Sequence, residues 1–157
     1  MLGAKKKKAK FGDIIGIKTP KGFAYLQYTH KDPEYGDLLR VLPGVFDGEP
    51  DSLESLSNLK ELYFVFFPLS FALSKELVSV VGYAAIPEWA VEKPFLRRAG
   101  GRAPTGKVLN WWLNDGRREW KVDKLSEEQK NWSLAAIWND TLLIQRICEG
   151  WMPSKEI

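Results

Sequence analysis

Between Lys107 and Val122 the chain reads Lys-Val-Leu-Asn-Trp-Trp-Leu, then Asn-Asp-Gly, then Arg-Arg-Glu-Trp-Lys-Val. An Asp-Gly pair between two β-prone runs is a strong hairpin signal, because the positive φ that reverses the backbone costs glycine nothing and aspartate little. A β-hairpin turning at Asn114-Asp115-Gly116 follows, and with it a sheet. Neighbouring residues of a strand point to opposite faces. Trp111 and Trp112 therefore cannot enter one core, and one of them is exposed or covered by the arginine-bearing stretch before it.

The rest of the chain agrees with a sheet. Asp13 to Lys18, Phe23 to Thr29 and Asp37 to Leu42 read as strands, separated by Pro20-Lys21-Gly22 and by Asp32-Pro33-Glu34-Tyr35-Gly36. Each turn holds a proline that presets φ and a glycine that accepts positive φ. In the second strand the alternation puts Phe23, Tyr25 and Gln27 on one face and Ala24, Leu26 and Tyr28 on the other; both are apolar enough to be covered. Glu61 to Pro68 and Leu77 to Ile86 are rich in Val, Tyr and Phe and read as two further strands. Leucines at 53, 56 and 59 fit a short helix capped by Asp51 or Ser52. Glu88 to Pro104, with Pro94, Gly100, Gly101 and Pro104, reads as a long surface loop. Ser126 to Gln129 matches a capping box that opens a short helix to about Trp132. A last helix begins at Asn139-Asp140, carries Leu143, Ile144, Ile147 and Cys148 on one side, and stops at Gly150.

These elements predict a mainly β fold: a strongly bent antiparallel sheet or SH3-like barrel, extended by the Trp-rich hairpin and covered by the C-terminal helix. Residues 1–10 are expected to be a basic disordered tail and 11–157 a single domain. The expected core contains Ile15, Ile17, Tyr25, Leu26, Val41, Phe64, Phe66, Val78, Val80, Leu143 and Ile147.

Charge narrows the partners. The net charge is +3, yet five of the 23 positive residues are Lys5, Lys6, Lys7, Lys8 and Lys10. From Phe11 onward 18 positives face 20 negatives, which argues against a body shaped to neutralise phosphates. Acids gather between His30 and Phe64, and bases between Lys93 and Lys124. The longest apolar run, Leu62 to Leu73, is interrupted by Pro68 and Ser70 and falls short of a membrane span. The basic N-terminus leads into Phe11-Gly12-Asp13 rather than a long apolar stretch, so no secretory signal is expected. One cysteine, Cys148, cannot form an internal disulfide, and a cytoplasmic location is the expectation.

The chemistry-bearing residues are sparse. His30 is the only histidine, and with no second histidine or cysteine nearby it reads as a turn residue rather than a metal ligand. Cys148 sits on the apolar stripe of a helix and reads as core. Gly100-Gly101 beside Arg97, Arg98 and Arg102 lacks the strand and helix that flank a phosphate-binding loop. No catalytic residue, metal site or cofactor is expected. Two binding surfaces remain. One is the acidic stretch Asp32, Glu34, Tyr35, Asp37, Asp47, Glu49, Asp51 and Glu54, which suits a basic partner, with Tyr35 as its anchor. The other is Arg97, Arg98, Arg102, Trp111, Trp112, Arg117 and Arg118. Together with the lysine tail it allows weak nucleic-acid binding by charge and base stacking.

Several segments together resemble the immunity protein 26 family of bacterial polymorphic toxin systems. They are Gly12-Asp13-Ile14-Ile15, Phe23-Ala24-Tyr25 with Gln27-Tyr28, Phe67-Pro68-Leu69, Trp111-Trp112-Leu113 leading to Asp115-Gly116, and Trp138-Asn139-Asp140-Thr141-Leu142-Leu143. The resemblance implies a mainly β, non-enzymatic protein that neutralises a cognate toxin by direct contact. Some relatives carry a phosphotriesterase label; a lone histidine does not build the metal site such hydrolysis usually needs.

Overall fold

The computed structural model describes residues 8–157. The first strands are β1 (Asp13–Thr19), β2 (Gly22–Asp32) and β3 (Gly36–Val41), at the positions their alternation predicts. After them come helix α1 (Leu53–Ser57), β4 (Tyr63–Phe66), helix α2 (Leu69–Ser74) and β5 (Val78–Tyr83). The order β4-β3-β2-β1-β5 forms one antiparallel sheet. Its register shifts between Ile14 and Ile15 and again between Tyr28 and His30; such irregularities bend and twist strands locally.

The remaining strands build a second sheet instead of extending the first. It contains β6 (Leu96–Ala99), β7 (Trp111–Asn114), β8 (Glu119–Val122) and β9 (Ser133–Leu134), in the order β8-β7-β6-β9. The pairs are antiparallel except β6 with β9, which run parallel. Among the described residues neither sheet closes into a barrel. The expected surface loop from Glu88 to Pro104 is therefore corrected, because β6 lies inside it between two partner strands. Its flanking Pro94 and Gly100 and its two arginines hid a strand. Helix α2, enclosed between Pro68 and β5, was not foreseen either.

The sheets meet along β4 and β9. The Phe64 N–H donates to Ser133 Oγ at 2.8 Å, and the Trp138 N–H donates to the Phe66 carbonyl at 2.9 Å. One core fills both sheets: Ile15, Leu26, Leu39 and Val65 from the first pack in the same cluster as Trp111, Leu113, Leu134 and Trp138. The expected core residues are buried except Val80 and Ile147, which are half-buried. Helix α3 (Asp140–Glu149) closes the structure, with Asn139 Oδ1 accepting the Leu142 N–H at 2.8 Å and Gly150 ending it at φ +65°. Only Leu143 of its apolar side is fully buried, and Cys148 is half-buried.

The hairpin forms, with a shifted turn. Asn114 pairs with Glu119, so Gly116 (φ +91°) and Arg117 are the central residues, while Asp115 Oδ1 accepts the N–H groups of Arg117 and Arg118. Ser126 and Gln129 make the reciprocal bonds of a capping box, on a single 3-10 turn at Gln129–Asn131. Most of the expected basic tail lies outside the described residues. Lys10 within it is tied down: its N–H donates to Asp13 Oδ2 at 2.9 Å and its ammonium lies 4.9 Å from the Tyr83 ring centre. Among the described residues no helix is long and apolar enough to cross a membrane.

Candidate functional site

The turn between β2 and β3 is held by its own aspartate. Asp32 Oδ1 accepts the N–H groups of Glu34 and Tyr35 at 2.8 and 3.0 Å, as short acidic side chains do in tight turns. Its other oxygen accepts from Lys93 Nζ at 2.9 Å. Burial pushes the Asp32 carboxyl up, but these N–H groups and the lysine outweigh it and hold the carboxyl below its ordinary value. Tyr35 is thereby aimed over the seam of the two sheets, where its ring stacks on Phe66 with centres 5.0 Å apart.

Opposite stands one face of the second sheet. Arg98, Trp112 and Lys121 are direct cross-strand neighbours on β6, β7 and β8. Their side chains line up as cation, ring, cation: the Arg98 guanidinium lies 5.3 Å and the Lys121 ammonium 6.0 Å from the Trp112 ring centre. Arg98 Nη2 also donates to Glu119 Oε1 at 2.8 Å. Burial raises the Tyr35 hydroxyl pKa; Glu34 adds to this and Arg98 opposes it. Between turn and sheet lies a cleft of about 80 Å³ lined by Asp32, Tyr35, Lys93, Arg98, Trp112 and Glu119. Its charges are paired and its rings half-covered, so it can receive a side chain of a partner, planar or charged, without a large desolvation cost.

The two surfaces read from the sequence thus partly merge and partly fall away. Asp32 and Tyr35 meet Arg98 and Trp112, and Glu34 is exposed in the same turn; Asp37 does not line this cleft, and its carboxylate accepts from Tyr28 Oη at 2.5 Å. Asp47, Glu49, Asp51 and Glu54 are exposed but sit elsewhere. Phe46 bridges to Phe23 at the start of β2, whereas Asp32 is at its end, nine residues on. At about 3.3 Å per residue the two acidic groups are roughly 30 Å apart. The acidic stretch is continuous in sequence and divided in space.

On the basic side, Arg97 and Trp111 leave the surface. Both point to the opposite side from Arg98 and Trp112, and the Arg97 side chain is fully buried. It donates to the carbonyls of Trp132, Glu156, Lys130 and Pro153 at 2.5 to 3.1 Å, with its guanidinium 4.5 Å from the Trp111 ring centre. Burial depresses its pKa to about 10. Arg97 is a structural tie between β6 and the C-terminal segment. Arg102 is exposed and donates to the Gly106 carbonyl. Arg117 and Arg118 are exposed at the hairpin tip, Arg118 lying over Trp120 at 5.0 Å. The Gly101 N–H that an anion would need is taken by Asn110 Oδ1 at 2.8 Å.

The chain matches no family model, no curated protein and no solved structure.

His30 is tied rather than free. Its Nε2 donates to the Val91 carbonyl at 2.7 Å and its Nδ1 lies 2.8 Å from Thr29 Oγ1, while burial lowers its pKa. Among the described residues no three His, Cys, Asp or Glu side chains gather as a metal site requires. Sequence reasoning missed Lys93 and Glu119, because each takes its role from a partner more than 20 positions away. It also missed a buried network. Arg40, fully buried, donates to Glu61 at 2.9 Å, to Gln27 at 2.7 Å and to the carbonyls of Ser57 and Leu59. An arginine and a glutamine facing each other on neighbouring strands that are otherwise apolar was the available signal.

Proposed function

We propose that this protein is a non-enzymatic, immunity-type binding protein that acts in the bacterial cytoplasm and neutralises a basic toxin by direct contact through the cleft between the β2–β3 turn and the Trp112 face. One observation carries the reading: an aromatic anchor with acids beside it, Tyr35 with Asp32 and Glu34, stands across a cleft from Trp112. Buried or half-buried aromatics ringed by charge are the usual anchors of protein interfaces, and exposed carboxylates speed the approach of a basic partner. The segments that resemble immunity protein 26 support the same reading. In it the five-stranded sheet, bent at its two register shifts, is the SH3-like part of the fold.

Nucleic-acid binding is the weaker reading. Arg97 is buried and Arg98 is paired with Glu119, which leaves Arg102, Arg117, Arg118 and scattered lysines outward. A phosphotriesterase-like hydrolase is a weaker alternative again.

The test is to co-express the chain with the product of the neighbouring reading frame, score growth, and measure association of the purified pair. Glu34 is exposed and Trp112 half-buried, so both tolerate substitution. Glu34→Lys is expected to slow association about three- to tenfold at low salt, with the effect shrinking as salt rises. Trp112→Ala is expected to speed dissociation about tenfold. Absence of growth protection, or unchanged rates in both folded variants, refutes the reading. Tight, sequence-selective nucleic-acid binding at physiological salt would replace it.

A further inference from the structure

At the other end of the β7–β8 hairpin, away from its turn, lies a groove of about 540 Å³. It belongs to none of the surfaces discussed above. Its apolar lining is Val108, Leu109, Trp111, Leu125 and Ile157, and its rim carries Lys107, Lys124 and Lys130 against Asp123. Two local features build it. The segment before β7 continues the antiparallel pairing with the segment after β6, through the Arg102–Val108 bridge and the Leu109 N–H donating to the Gly101 carbonyl at 2.7 Å. The segment after β8 turns back so that Leu125 is buried while Asp123 and Lys124 face out.

The charges are unbalanced at the rim. Lys130 pairs with Glu127 at 2.8 Å, but among the described residues neither Lys107 nor Lys124 has a carboxylate within ion-pair distance. Leu109, at 53% exposure, leaves apolar surface open to water directly beside these ammonium groups. A ligand that satisfies both must bury an apolar body on Val108, Leu109 and Leu125 and leave an anionic head among the lysines at the water boundary. A volume of this size is that of a small-molecule site. The groove does not suit a nucleotide: Trp111 is only 4% exposed and offers no free ring face for a base to stack on.

We propose that this groove binds an anionic amphiphile, a carboxylate with an aliphatic tail, with Lys107 and Lys124 on the head and Val108, Leu109 and Leu125 on the tail. Lys107, Lys124 and Leu109 are all exposed, so their substitution leaves the fold intact. The test is isothermal titration of the full chain with octanoate, with 1-octanol and with acetate. Octanoate is expected to bind saturably at one site, 1-octanol about three- to tenfold more weakly, and acetate without saturation. The double variant Lys107→Ala with Lys124→Ala is expected to bring octanoate down to the affinity of 1-octanol, whereas Leu109→Asp weakens both ligands. Unsaturable octanoate heats overturn the proposal. So does an octanoate affinity that both variants leave unchanged, or a polyglutamate peptide that binds at these lysines where octanoate does not.

Discussion

Glu61 shows how one side chain can make stability depend on pH. Its side chain is 5% exposed and accepts from Arg40 and Lys60, each at 2.9 Å, and from Trp89 Nε1 at 3.2 Å. Burial raises its pKa, yet the hydrogen bonds from Lys60 and Arg40 outweigh burial and hold it below the ordinary 4.5. A carboxyl whose folded pKa lies below its unfolded value adds stability that is complete above about 4.5 and is lost as pH falls through the folded value. Glu61→Gln removes that linkage and leaves the Arg40 charge buried without a counter-ion, at a cost of about 3 kcal/mol near neutral pH. Urea unfolding at a series of pH values checks this. The variant should start less stable and lose less stability than the native chain on acidification from about pH 5 to 3; parallel curves would remove Glu61 from the account.

At the scale of elements, helix α3 depends on its ends more than on its apolar side, since only one of its residues is fully buried. Asn139 supplies the N-cap, and Gly150 at φ +65° lets the Trp151 N–H reach the Arg146 carbonyl at 2.9 Å. Trp151 and Trp138 then close on the Arg146 guanidinium, 4.5 and 4.4 Å from their ring centres. Asn139→Ala removes a cap worth about 1 kcal/mol, and Gly150→Ala places a Cβ in the left-handed region at a cost of about 1 kcal/mol. Each substitution is expected to lower the melting temperature by about 3 °C. Melting followed by circular dichroism decides it, and native-like melting in both variants would show that packing alone holds α3.

Across the whole molecule, the shared core and the β4–β9 seam make the two sheets one cooperative unit. All seven tryptophans lie at Trp89 or beyond, and six of them, all but Trp89, lie in or flank the second sheet and the C-terminal helix, so fluorescence reports mainly that part, while far-UV circular dichroism also reports β1 to β5. The two signals are expected to trace one urea transition with a common midpoint. A fluorescence change that precedes the dichroism change would mean that the second sheet opens by itself. What the sequence determined were the elements whose signals are local. The three N-terminal strands, the hairpin, the capping box and both ends of α3 each depend on residues within a few positions of one another. Tertiary structure decided what depends on distant partners. It placed β6 in a sheet rather than a loop, because parallel β9 and antiparallel β7 supply its hydrogen bonds and four carbonyls satisfy Arg97. It split the acidic stretch along the length of β2 and brought Tyr35 to Trp112, since strand pairing, not sequence distance, sets which side chains share a surface.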